Sequence, residues 1–222
     1  MRTWQQLGSG DKGFLVFGVA ALLVFALLAA DVGMRGRLEQ LDAPTGDWLY
    51  AHASSLSIFS NGMDLLGSIV VMGPVVALGA AYLWWRSERR EAVRLAVIVG
   101  LGLVAYNGFK LVFARARPAT ALGIETGYSF PSGHTTMAAV LMVYLAWLGL
   151  RRARGKALTA LLLVAVIAWA LLMALSRLTL GVHYLTDVLA GLALGAGIGA
   201  LGVSLPALWM GPASSDVAQE VS

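Results

Sequence analysis

The stretch GFLVFGVAALLVFALLAA, from Gly13 to Ala30, decides the fold. It holds no charge across 18 residues, and that is the length a bilayer's hydrocarbon core requires. Five further apolar stretches read the same way: about Met63 to Trp85, Ala92 to Phe113, Ser132 to Leu150, Ala157 to Leu175, and Leu185 to Trp209. A segment inside lipid must satisfy its own backbone, so all six are expected as helices. The composition agrees, with 59% of residues hydrophobic and 13% charged, where soluble domains carry about 25% charged residues. A water-soluble globule of this size cannot bury that much apolar surface. The expected fold is an all-α integral membrane protein, six transmembrane helices in one bundle, with residues 1–222 as a single domain.

Arg2 and Lys12 precede the first stretch as they would in a secretory leader. The apolar run is longer than a leader's, and no small-x-small cleavage site stands out after it, so it reads as a retained first helix. The absence of cysteine excludes disulfides and thiolate metal sites. Between the first two spans, Leu38, Leu41, Trp48, Leu49, Leu56 and Phe59 recur at roughly helical spacing among charged residues. Pro44 suits a first helical turn, and an amphipathic helix lying at the membrane interface is expected. Gly191, Gly195 and Gly199 fall at four-residue spacing, a helix-packing signal with no catalytic content. Whether they pack within the chain or between chains is open, as is the oligomeric state. Residues 211–222 read as a polar, disordered tail. Trp4, Trp48, Trp84, Trp85 and Trp209 fall near the expected interfaces, where aromatic belts are ordinary.

Arg86, Arg89, Arg90 and Arg94 lie between the second and third spans. Arg151, Arg152, Arg154 and Lys156 lie between the fourth and fifth. The positive-inside rule makes that side, with both termini, cytoplasmic. The net charge of +4 is thus membrane topology, not a nucleic-acid footprint.

Helix alternation then gathers a second polar set at the other face. Lys110, Arg115 and Arg117 end the third span; Ser132 and His134 open the fourth; Arg177 closes the fifth; His183 and Asp187 begin the sixth. Ionisable residues there are functional candidates. Lys110 and Arg117 are two helical turns apart and face one way if the helix continues that far, with Pro118 as its stop. Arg177 offers a planar fork for phosphate oxygens. Ser132 suits an N-cap and Gly133 allows close backbone approach at a helix N-terminus, itself an anion site. His183 and Asp187, four apart on a helix, share a face. The carboxylate can take a proton from one imidazole nitrogen and leave the other nucleophilic. His134 can serve as general acid. No carboxylate cluster offers a hard-cation site.

Lys110-x6-Arg117-Pro118, Pro131-Ser132-Gly133-His134 and Ser176-Arg177-x5-His183-x3-Asp187 together resemble the three-part signature of the type 2 phosphatidic acid phosphatase superfamily. Order and internal spacing agree throughout the region 110–187. The resemblance implies that His183 becomes a phosphohistidine, oriented by Asp187, and that His134 protonates the leaving oxygen and later activates water. It implies that Lys110, Arg117, Ser132, Gly133 and Arg177 hold the phosphate, without metal or cofactor. The expected partners are a lipid phosphate and the bilayer. Suggested substrates are undecaprenyl diphosphate, phosphatidylglycerophosphate, phosphatidic acid and lipid A phosphates. The expected location is a bacterial cytoplasmic membrane, crossed several times, with the site on the outer side.

Arg115 falls outside the signature; it could guide anions, but reads more readily as a side chain reaching for head groups. Asn107 could position Lys110 or bond another helix. Tyr128 and Glu125 read as plain loop residues as readily as substrate contacts. His52 is given no role. Rival functions are a phosphotransferase with the same nucleophile and a transporter of phosphorylated lipids. The latter lacks a midplane charge and paired broken helices. Vanadium haloperoxidases share the constellation but are soluble, and an inactive scaffold is disfavoured because no signature residue is missing.

Overall fold

The computed structural model describes residues 9–119, 126–152 and 155–209. The tail 211–222, Glu125, Trp4 and Arg154 lie outside the described residues. The elements are helices throughout: α1 (Ser9–Gly33), α2 (Arg37–Gln40), α3 (Asp42–Ala53), α4 (Ser57–Gly67), α5 (Ile69–Trp85), α6 (Arg89–Phe113), α7 (Gly133–Arg152), α8 (Lys156–Thr179) and α9 (Leu185–Trp209). Five are long and apolar enough to cross a bilayer alone, namely α1, α6, α7, α8 and α9. The sixth span is α4 and α5 together, bent by 46°. The bend falls at Ser68, whose extended backbone (φ −66°, ψ 152°) ends one helix and begins the next. Ser68 Oγ donates to Leu65 O at 2.7 Å while its own carbonyl accepts the N–H groups of Val71 and Met72.

The expected interfacial helix is helical but broken. It consists of α2, α3 and a 3-10 turn over Ser54–Leu56. Pro44 does sit in the first turn of α3, where it removes no intrahelical bond. Asp42, at the start of α3, is buried and ties this segment to the bundle.

Of the five single-helix spans, α9 is the most buried, followed by α7, while α1, α6 and α8 present most of their surface outward. One apolar cluster joins Leu83 of α5, Leu95 and Ile98 of α6, Tyr144 and Trp147 of α7 and Val203 of α9. A second joins Phe25, Leu28 and Val32 of α1 to Phe130 and to Ala190 and Leu194 of α9. The glycines of α9 pack within the chain. A Cβ at Gly191 would lie 2.2 Å from Thr135 Oγ1, and one at Gly195 would lie 2.1 Å from the backbone oxygen of Thr136. At Gly199 it would meet Val143 Cβ at 2.9 Å. The seam between α7 and α9 closes because these positions carry no side chain.

The arginine-rich ends meet as expected, since Arg152 of α7 donates to Glu88 just before α6. Arg94 and Arg151 flank the Trp147 ring at 4.7 and 4.9 Å. The signature residues lie at the opposite end of the bundle. Trp48, Trp84 and Trp85 are exposed, as members of interfacial belts would be.

Candidate active site

Lys110 sits in the last turn of α6, but Arg117 does not continue that helix. The helix stops at Phe113, and Ala114 adopts a left-handed conformation (φ 44°) with its N–H on Lys110 O at 3.0 Å. The expected two-turn stacking is therefore replaced by a turn, and Pro118 is not what ends the helix. Arg117 reaches the site from an extended segment. Its Nη1 donates to Val182 O at 2.9 Å and to His183 Nε2 at 3.3 Å, and its Nε donates to Gly127 O at 3.1 Å. Lys110 Nζ donates to the backbone oxygen of Tyr128.

An arginine only donates, so the contact with Arg117 puts a lone pair on His183 Nε2 and the proton on Nδ1. Nδ1 lies 3.4 Å from Asp187 Oδ2. His183 is not on the helix itself; it precedes α9 in a turn that begins at Leu180. The pair forms because Asp187 folds back to the helix start, where Oδ2 also accepts the N–H of Tyr184 at 2.9 Å. Burial pulls the imidazole below the usual histidine range. Asp187 pulls the other way, and Arg117 and Lys110 add to the lowering. A neutral imidazole whose Nε2 lone pair lies beside two cations has the chemistry of a nucleophile next to groups that suit an anion.

Gly133 opens α7, and Tyr106 packs where its side chain would be, 3.0 Å from an ideal Cβ. Ser132 immediately precedes the helix. Its carbonyl accepts Thr136 N at 3.0 Å, and its own N–H donates to Asp187 O at 3.0 Å. Its hydroxyl does not cap: among the described residues, the buried Oγ has no hydrogen-bond partner. Thr135 and Thr136 instead turn their hydroxyls onto Ser132 O at 3.1 and 2.8 Å. Arg177 is fully buried at the end of α8 and donates through Nη1 to Asp64 Oδ1.

Asp64 is a site residue that the sequence reading did not single out. It comes in on α4, the first part of the broken span. It lies 3.3 Å from His134 Nε2 while accepting from Arg177. Arg115 is a residue whose expected role changes. The expectation that it reaches for head groups fails, because its side chain is only 11% exposed and pairs with Asp187 and Asp42. Among the described residues Asn107 neither holds Lys110 nor bonds a neighbouring helix; its Nδ2 donates to Leu103 O at 2.8 Å in its own helix. His52 bonds locally, with Nδ1 2.8 Å from Trp48 O.

Lys110, Arg117, Gly133, His134 and His183 all line one cavity of about 900 Å³. Ser132, Arg177 and Asp187 form the layer behind that wall, each fully buried. From the cationic end the cavity runs down the bundle between α5 and α6. Met72, Val76 and Ala80 form one wall, Val99, Leu103 and Tyr106 the other, with Met137 and Leu141 of α7 at the back. One end of this cavity suits an anion and the rest suits a hydrocarbon chain.

The sequence pattern of the PAP2 superfamily matches residues 91–209. Among curated relatives, phosphatidylglycerophosphatase B of Bacillus subtilis (strain 168) is 26% identical over 182 residues, covering 80% of this chain and 88% of that protein. Phosphatidylglycerophosphatase B of Haemophilus influenzae is 46% identical over 69 residues, 29% of this chain. That match spans 27% of the Haemophilus protein's length. In fold, the chain is similar to the crystal structure of a transmembrane PAP2-type phosphatidylglycerolphosphate phosphatase from Bacillus subtilis. The TM-score is 0.77 at 24% identity, over 85% of this chain and 94% of that one.

Proposed function

Because the chain belongs to the PAP2 superfamily, we propose that it is a membrane lipid phosphatase that works through a phosphohistidine and needs no metal. The observation that carries this reading is the cavity. Its apolar trough is continuous with a cationic end at which His183 Nε2 presents a lone pair beside Arg117. A lipid phosphate has that same division, an acyl or prenyl chain joined to an anion. Phosphatidylglycerophosphate, phosphatidic acid, prenyl diphosphates and lipid A phosphates all share it.

In the first step His183 Nε2 attacks phosphorus and the P–O bond to the lipid breaks. His134 gives its proton to the departing oxygen. Lys110, Arg117 and Arg177 with the Ser132 hydroxyl and the Gly133 N–H hold the phosphoryl oxygens, whose spread charge is the main demand of phosphoryl transfer. In the second step His134 takes a proton from water, the oxygen attacks phosphorus, and the P–N bond breaks to release phosphate and free His183. Asp187 keeps Nδ1–H oriented throughout. By the positive-inside rule the arginine-rich end is cytoplasmic and the chemistry lies on the outer side.

The test is phosphate release from a panel of those lipids in detergent with chelator present. Wild type is expected to release phosphate and His183→Ala to release none, with the fastest lipid naming the substrate class. Release by His183→Ala would overturn the nucleophile assignment. Loss of wild-type release on chelation would overturn the metal-free mechanism.

A further inference from the structure

Arg115 stands two residues before Arg117, outside the signature, and its partners come from three separate elements, α2, α3 and α9. Nη1 donates to Asp187 Oδ1 at 2.7 Å and to Thr186 Oγ1 at 2.8 Å. Nη2 donates to Asp42 Oδ2 at 2.8 Å, and Glu39 Oε1 lies 3.6 Å away. The Tyr184 ring packs against the guanidinium, 4.2 Å from its carbon. Asp42, 1% exposed, does more than pair with Arg115. Its Oδ1 accepts the N–H of Thr186 at 2.9 Å, and its Oδ2 accepts the Thr186 hydroxyl. Thr186 lies in the first turn of α9, so Asp42 caps the helix that carries Asp187 from a separate element, α3. The two oxygens of Asp187 are therefore divided. Oδ1 takes Arg115, while Oδ2 takes the Tyr184 N–H and faces His183 Nδ1.

We propose that Arg115 and Asp42 are positioning residues for the reaction, which hold the Asp187 carboxylate in the one orientation that serves His183. The proposal rests on the reading of His183 as nucleophile. Its physical content is a balance of charge along a chain. Asp42 neutralises part of Arg115, Arg115 neutralises part of Asp187, and what remains on Asp187 acts on the imidazole. The other charged groups facing His183 are Lys110 from α6 and Arg117 from the segment after it. Glu39 from α2 adds to the acidic side of Arg115. Burial works against the Arg115 cation, but Asp187 and Asp42 outweigh it, so this arginine stays charged at every working pH. None of these other groups changes in the variants below.

The balance predicts shifts of opposite sign. His183 must be unprotonated to attack, so its titration sets the acid limb of the kcat/KM profile. In Arg115→Met the full Asp187 charge acts on the imidazolium, which holds its proton longer, and the limb moves to higher pH. In Asp42→Asn the unbalanced Arg115 leans harder on Asp187, and the limb moves to lower pH. Each shift should be about half a pH unit or more, given that a neighbouring charge moves a titration by about 1–3 units. Misplacement of the nucleophile should also lower kcat by about 10- to 100-fold, with KM nearly unchanged because neither residue lines the cavity. Arg115→Lys, which restores the charge without the fork, should return the limb toward wild type while recovering kcat only in part.

The experiment measures pH profiles of kcat and KM for wild type, Arg115→Met, Arg115→Lys, Asp42→Asn and His183→Ala, all purified in detergent. Opposite limb shifts with an inactive His183→Ala support the proposal. Limbs that stay in place, or move together, while His183→Ala is inactive overturn the proposal and leave the nucleophile assignment standing. An active His183→Ala overturns that assignment itself. Should Arg115→Met fail to fold, the near-isosteric Asp42→Asn and the charge-retaining Arg115→Lys decide between these outcomes.

Discussion

In the proposed mechanism the Ser132 side chain sets stability against binding. Its hydroxyl is fully buried and has no hydrogen-bond partner among the described residues, a condition that costs about 1–3 kcal/mol. Ser132→Ala should therefore leave the thermal midpoint in detergent unchanged or raise it, while kcat/KM falls by about ten-fold, one charge-assisted bond to phosphate. A fall in both quantities would mean that the hydroxyl supports the fold instead. That Lys110, Arg117, Gly133, His134 and His183 come together at one cavity was legible from the sequence, because they fall in motifs of short, fixed spacing. Asp64, Asp42 and Arg115 were not, because what makes them matter lies far along the chain. Asp42 meets Thr186 across 144 positions and Asp64 meets Arg177 across 113. Arg115 looks like a head-group seeker at the end of an apolar helix. Only the left-handed turn at Ala114 sends it inward, and nothing in the residue type announces that turn.

Among the elements, the seam between α7 and α9 carries the strictest geometric demand. It brings Ser132 and His134 of one helix start against His183 and Asp187 of the other. Gly195→Ala would place a methyl group 2.1 Å from the Thr136 carbonyl, so the helices must part. Such overpacking costs about 1–3 kcal/mol, and the two halves of the site separate with it. Lower thermal stability and lower kcat are both expected. Gly108→Ala on the exposed side of α6, where nothing lies within 4 Å, should leave both near wild type. Equal behaviour of the two variants would remove the seam from the account. The lengths of the spans and the glycine spacing were readable because lipid thickness and close packing write directly onto sequence. The break at Ser68 was not, because the strongly apolar run that follows, Ile69–Trp85, outweighs Asp64, Gly67 and Ser68 when hydropathy is summed over a span. The same holds for the early stop of α6 at Phe113, which sits five residues ahead of the proline that seemed to mark it.

For the molecule as a whole, six spans and two arginine-rich turns at one end define a topology with a direct readout. The chain has no cysteine, so single cysteines report without background. Met34→Cys, exposed at the site end, should react with a membrane-impermeant maleimide in intact cells. Ser87→Cys, at the arginine-rich end, should react only after permeabilisation. The reverse pattern would place the chemistry in the cytoplasm. Bundle architecture was legible at this scale, because hydropathy and charge asymmetry are summed over many residues.

The pairing of α1 with α9 has a further consequence. Phe25, Leu28 and Val32 pack against Ala190 and Leu194 and against Phe130, which adjoins the Pro131–His134 motif. Gly18 fits against Ala200 and Leu201. During synthesis α1 reaches the bilayer about 150 residues before α9 is made, and until then its inward face has only lipid to meet. Contacts this distant along the chain close late and slowly. The ribosome must therefore deliver nearly the whole polypeptide before the motif acquires its backing, and a nascent chain halted after α8 would hold five spans and no assembled catalyst.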